Sequence, residues 1–259
     1  LRTEFTKDNL CARGGYIISD AADAKVTLIA TGSEVSLAVD AQAKLKGNIT
    51  MGFAAETNSI PVTVGDFLEA AKDYPIVFTQ GESVLPVVIV GFEKDNYYVD
   101  EKGAWREDSY IPAYARKYPF VFLELPDSDQ LTLCIDEDAV TFDEGAEGVA
   151  LYEGEKPSQF TQTALDFCTN YQDQFRVTKL FCDRLKEMDL LAPQRSNVEL
   201  ASKRKMELNG FQLIDMEKFR ALSKEKVVEL HEAGFLPLIY YVLQSQSNWQ
   251  RLLNLANKR

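Results

Sequence analysis

Apolar residues fall in short unbroken runs through the first half of the chain and recur with a helical period through the second. Lys25–Ala30 (KVTLIA) is a run of the buried-strand type, and Thr31 with Glu34 forms a capping box that starts a helix over about Val35–Leu45. From about Phe53 to Asp138 the pattern is strand-rich. Ile76–Thr79 and Val87–Phe92 are apolar runs bounded by Pro75, Gly81 and Pro86, and Tyr97–Val99 with Trp105 frames a hairpin. Phe120–Leu125 and Leu131–Ile135 are two more strands, joined by the turn-forming residues Pro126–Gln130.

The period then lengthens. Phe160, Ala164, Phe167, Tyr171, Phe175, Cys182 and Leu185 recur at helical spacing, which predicts a long amphipathic helix over about Ser158–Met188. Val198–Leu200 and Met206–Leu213 read as a β-hairpin around Lys203-Arg204-Lys205. Two helices follow, Lys224–Glu232 and about Leu236–Ala256, the second with Leu238, Val242, Ser245, Trp249, Leu252 and Ala256 on one face. The sum is an α+β fold: a strand-rich first half with a mainly antiparallel sheet, then a helical second half carrying a β-hairpin.

Charge changes the picture at two places. The 259 residues carry a net charge of −12, which argues against a nucleic-acid surface. Residues 1–50 hold six acids and six bases, whereas Glu124–Glu155 holds eleven acids and no Lys or Arg. Such a run is ordinarily a solvated face, and its functional alternative is a site for a cation or a basic partner. No basic and apolar leader opens the sequence, and the apolar run Phe235–Leu243 is about half the ~20 residues of a membrane span. The four cysteines have no short pairing spacing, so a cytoplasmic protein without membrane insertion is the expectation.

Candidate chemistry is sparse. A single histidine, His231, excludes a two-histidine iron site and an H-E-x-x-H zinc site within the chain. Gly81-Glu-Ser83-Val-Leu85 approaches a nucleophile elbow but lacks its second glycine, and a Cys134–His231 dyad depends on the fold. Thr31-Gly-Ser33 reads as a helix start rather than a phosphate cradle. Asp136 and Asp138 follow the strand Leu131–Ile135, and extended backbone places them on one face about 7 Å apart, a spacing that suits Mg²⁺ or Ca²⁺. Tyr110, Tyr114, Arg116 and Lys117 form an aromatic–basic group able to clamp a planar or anionic ligand, although tyrosines packed in the core are the commoner outcome. No cofactor is expected.

Two resemblances emerge from particular segments. Phe53–Val62, Asp73–Phe78, Tyr110–Phe120, Leu133–Asp138, Gly210–Asp215 and Ser247–Leu253 occur in an order that resembles the SapC family of bacterial surface-layer-associated proteins. Leu1–Phe5, Asn9–Gly14 and Leu28–Ser36 resemble the start of the transketolase C-terminal domain. The division expected is therefore 1–48, a transketolase-like β–α fragment, and 49–259, a SapC-like domain. The SapC resemblance implies cell-envelope or surface-layer partners and carries over no catalytic residue. An accessory binding protein is thus the leading expectation. The rival is an enzyme, or part of a protein-modifying system, with a metal on Asp136 and Asp138. Transketolase-like sugar transfer is disfavoured, because that family's cofactor domains have no counterpart in this sequence.

Overall fold

The computed structural model describes residues 44–46, 49–124, 131–136, 139–141, 147–153 and 156–259. The strand Lys25–Ala30, Thr31-Gly-Ser33 and Asp138 lie outside the described residues. The first elements are β1 (Lys44–Lys46), β2 (Ser59–Pro61), α1 (Phe67–Asp73), β3 (Ile76–Thr79) and β4 (Pro86–Ile89). Next come α2 (Ala113–Arg116), β5 (Phe120–Glu124), β6 (Leu131–Ile135), β7 (Val140–Thr141) and β8 (Gly148–Ala150). Then follow β9 (Tyr152–Glu153), β10 (Lys156–Pro157), α3 (Gln159–Glu187), β11 (Leu191–Glu199) and β12 (Lys205–Ile214). The chain ends in α4 (Met216–Arg220), α5 (Lys224–Glu232), α6 (Leu236–Ser245) and α7 (Trp249–Ala256). The α+β reading holds, with antiparallel pairing throughout the described sheets.

The chain divides into two compact units. One combines the described part of residues 44–49 with 117–170; the other combines 50–116 with 171–259. In the smaller unit β1 pairs with both β7 and β8, and β5 pairs with β6. Lys44 and Leu45 are strand residues, which corrects the helix expected to run to Leu45. Its apolar cluster gathers Leu45, Phe120, Leu133, Val140, Leu151 and Leu165.

The larger unit is built on a five-stranded sheet of order β11-β12-β3-β4-β2. Ile76, Val77, Phe78 and Val88 are fully enclosed, as expected of central strands with both faces covered. Phe181 of α3 packs edge-on to Phe67 at 5.9 Å and to Phe235 at 5.4 Å, which ties α1 and the entry to α6 into this core. The strand expected over Val87–Phe92 stops at Ile89. Gly91 explains the stop: a Cβ there would lie 1.8 Å from the Asp95 carbonyl oxygen, so the turn closes only around glycine.

Two helix ends depart from simple patterning. α3 closes in a Schellman motif, with Leu190 N donating to Leu185 O and Asp189 N to Lys186 O. Asp189 holds the left-handed position at φ 55 that glycine usually occupies. The last helix, expected to be continuous over Leu236–Ala256, is broken by a tight turn at Gln246–Asn248. The break brings polar groups to buried backbone. Ser245 Oγ accepts from Ile76 N at 3.0 Å, and Gln246 Nε2 donates to Ile76 O at 2.8 Å. Asn248 Nδ2 donates to Ala71 O at 2.7 Å and to Tyr74 O at 3.2 Å, capping carbonyls left open at the end of α1.

Candidate functional site

The segment Trp105–Arg116 is anchored at both ends of α1 by two aspartates. Thr63 and Asp66 form the entrance to the helix, with Asp66 Oδ2 accepting from Thr63 N at 2.8 Å and from Thr63 Oγ1 at 2.9 Å. This is one arm of a capping box, in which an acid three residues on reaches back to the chain's own amide. The other oxygen of Asp66 turns outward. Oδ1 accepts from Tyr110 Oη at 2.6 Å and from Ala113 N at 2.9 Å. Asp66 is 1% exposed, so these four donors replace the water it has lost.

At the far end of α1, Asp73 Oδ2 accepts from Tyr110 N at 2.8 Å and Oδ1 pairs with Arg251 Nη1 at 2.9 Å. Tyr74 continues the brace: its hydroxyl donates to Tyr110 O and accepts from Trp105 Nε1 at 3.1 Å. Tyr98 Oη donates to Asp73 O at 3.0 Å. Burial is the leading cause that raises the Tyr110 phenol above its ordinary value, with the Asp66 carboxylate adding to it. Burial likewise pushes the Tyr98 phenol up to about 12.

The four aromatic–basic residues expected to act together therefore meet different fates. Tyr110 is part of the frame. Arg116 donates from Nη2 to Tyr110 Oη at 2.9 Å and from Nε to Ile111 O at 3.0 Å, and its guanidinium lies 5.4 Å from the Tyr110 ring centre. Arg116 thus shields the Asp66–Tyr110 pair, with 4.0 Å between Nη2 and Oδ1. Tyr114 is 38% exposed. Lys117 is half-buried and belongs to the smaller unit, where burial holds its ammonium below the usual range.

In the smaller unit Asp136 is exposed and accepts from Tyr118 Oη at 3.0 Å. Its own N donates to Pro119 O at 3.0 Å, which continues the β5–β6 ladder by one residue. No group of three or more His, Cys, Asp or Glu side chains suited to a metal ion occurs among the described residues. Cys134 lies in the smaller unit and His231 in the larger one. Ser83 sits in the turn between β3 and β4, with no helix after it, so the segment is a hairpin rather than a nucleophile elbow.

Sequence reasoning missed a shallow groove of about 280 Å³ in the larger unit. Gln80, Gly81 and Val84 line it from the β3–β4 turn, Lys186 and Asp189 from the end of α3, and Pro193 and Gln212 from the sheet. Gln80 Nε2 donates to Phe211 O at 2.9 Å and Gln212 Nε2 to Thr79 O at 3.0 Å, so each amide braces β3 against β12 through its nitrogen. Lys186 Nζ donates to Glu82 O at 3.2 Å, and Asp189 pairs with Lys218 at 2.6 Å. The lining combines two amide side chains, one ammonium and one carboxylate with the apolar Val84, Leu191 and Pro193. The signal available in the sequence was Gln212, which interrupts the apolar run Phe211–Ile214.

Among the described residues no helix is long and apolar enough to cross a membrane. No solved structure matches the chain. A transketolase of Cereibacter sphaeroides is 46% identical over 61 residues, which are 24% of this chain and 9% of that protein. The SapC family model matches residues 40–252, a span that begins nine residues upstream of the boundary expected at residue 49. With that match extending over most of its length, the chain belongs to the SapC family.

Proposed function

We propose that this protein is a non-catalytic binding or accessory protein that works with cell-envelope or surface-layer partners. The observation that carries the proposal is the commitment of Tyr110 and Arg116 to Asp66. The side chains with the best credentials for handling a ligand hold a loop onto α1 instead. The groove around Gln80, Lys186, Asp189 and Gln212 is the surface such a role would use. Its amide side chains and opposed charges suit reversible recognition of polar groups better than bond-making. In this reading a transketolase-like segment precedes a SapC domain, and the junction lies nearer residue 40 than the boundary expected at 48.

The test is co-sedimentation of the purified full chain with a cell-envelope fraction from a Gram-negative bacterium. Saturable binding that Lys186→Glu and Gln80→Glu both weaken is the expected result. Failure to sediment with envelope material at any protein concentration would remove the proposal.

A further inference from the structure

β11 is the outermost strand of the five-stranded sheet, and the orientation of its backbone can be read from both ends. At the hairpin turn Leu200 N donates to Arg204 O, and at the other end Asp215 N donates to Leu190 O. Hydrogen-bonded and non-hydrogen-bonded pairs alternate along an antiparallel ladder. Both ends therefore give the same parity: even-numbered residues of β11 face β12, and odd-numbered ones turn their N–H and C=O to the open edge. The irregularity between Gln194 and Ser196 does not disturb this. Gln194 pairs with Phe211 and Ser196 with Leu208, so the extra residue sits on β12, where Gly210 adopts φ 81.

The open edge has a bounded length. Pro193 has no N–H and ends it on one side, and the turn at Leu200–Arg204 ends it on the other. Between them lies Arg195-Ser-Asn-Val-Glu199, with Arg195, Asn197 and Glu199 exposed and Ser196 and Val198 half-buried. Arg195 makes no hydrogen bond or ion pair among the described residues. Among the described residues the Glu199 carboxylate has one ion-pair contact, at 3.9 Å with the exposed Lys205.

We propose that β11 pairs antiparallel with β11 of a second copy of this chain, about a two-fold axis at Asn197, to form one continuous sheet. Five two-fold registers centred within residues 195–199 keep the outward-facing residues in hydrogen-bonded pairs; centring on Ser196 sets Arg195 against Asn197, and centring on Val198 sets Asn197 against Glu199. Centring on Arg195 sets arginine against arginine, and centring on Glu199 sets glutamate against glutamate. Only the register centred on Asn197 places Arg195 of each chain opposite Glu199 of the other, twice by symmetry. The segment is thus complementary to its own reverse, which is the requirement of an isologous contact. The inference goes beyond the accessory role and does not rest on it.

Sedimentation velocity of the full chain over a concentration series tests the pairing. The wild type is expected to dimerise, Arg195→Glu and Glu199→Arg each to weaken the dimer by ~10-fold or more, and the double exchange to restore it. Unchanged melting temperatures of the three variants would show that each remains folded. The proposal fails if the chain stays monomeric at every concentration, or if the dimer ignores both single changes. It also fails if the double exchange is no tighter than the singles. Stronger association of Arg195→Glu would overturn it too, because Arg195 would then be a charge that keeps the edge open.

Discussion

Asp66 and Asp136 carry the same side chain, each hydrogen-bonded to a tyrosine hydroxyl, yet they stand in opposite environments. Asp66 is 1% exposed and has four donors spread over both oxygens. Asp136 is exposed, with the Tyr118 hydroxyl at 3.0 Å and its carboxylate within reach of solvent. The difference teaches which carboxylate the fold depends on. A buried acid that loses a partner leaves donors with nothing to replace it, whereas an exposed acid recovers its hydrogen bonds from solvent. The sequence drew attention to Asp136 because it follows a clear strand. Burial, which pattern alone does not reveal, makes Asp66 the residue on which the larger unit's brace is built.

The sharpest way to break this comparison is to remove the buried member. Asp66→Ala strands Thr63 N, Ala113 N and the Tyr110 hydroxyl and removes the buried carboxylate that Arg116 faces, so a loss of about 3–5 kcal/mol in denaturant unfolding is expected. Asn248→Ala tests the same brace from the other side of α1. Two buried carbonyls, those of Ala71 and Tyr74, lose their side-chain donor, at a cost of about 2–3 kcal/mol by the same measurement.

Alkaline pH attacks the brace through its phenols. The Tyr98 phenol titrates at about 12 in the folded chain against an ordinary value of 10.0, so the folded state holds its proton more tightly than the unfolded one. That stability is fully present below pH 10 and is lost as pH rises toward 12, a fall of about 2 kcal/mol from this one group. Tyr110 is raised for the same reason and adds to the loss. Melts from pH 9 upward, followed with tyrosinate absorbance, should show unfolding and ionisation together; smooth ionisation of all tyrosines near 10 in a folded protein would contradict the burial.

Asp136→Asn is the smallest expected effect. Stability should change by within about 0.5 kcal/mol, as for most exposed positions. Added Mg²⁺, Mn²⁺ or Ca²⁺ should leave the melting temperature of the wild type where it was. A metal-induced rise that Asp136→Asn abolishes would instead establish the carboxylate-metal reading.

Local pattern carried much of the fold. Ile76–Thr79, Leu131–Ile135 and Lys224–Glu232 have the bounds their apolar runs and caps indicate, and the hairpin around Lys203–Lys205 was placed correctly but is longer. What pattern missed has physical causes. α1 is seven residues long, too short for a helical period to stand out, although Thr63 and Asp66 supplied a capping signal. The break at Gln246–Asn248 was hidden because Ser245 and Trp249 keep the helical face across it. Its cause is the distant carbonyls that Asn248 serves. The site was least legible. Tyr110 and Arg116 were two of four residues singled out for a ligand, and Asp66, which holds Tyr110 in the structure, lies 44 residues from it. No periodicity links positions so far apart.

The account turns on whether Tyr110 is held by Asp66 as part of the frame. A double-mutant cycle of Asp66→Asn and Tyr110→Phe, read by denaturant unfolding of the full chain, tests that most directly. A coupling energy of about 1 kcal/mol or more is expected for a hydrogen bond to a buried carboxylate. Additive effects, with Tyr110→Phe nearly silent, would mean that the tyrosine is free to serve a ligand and that the brace is not what fixes this segment.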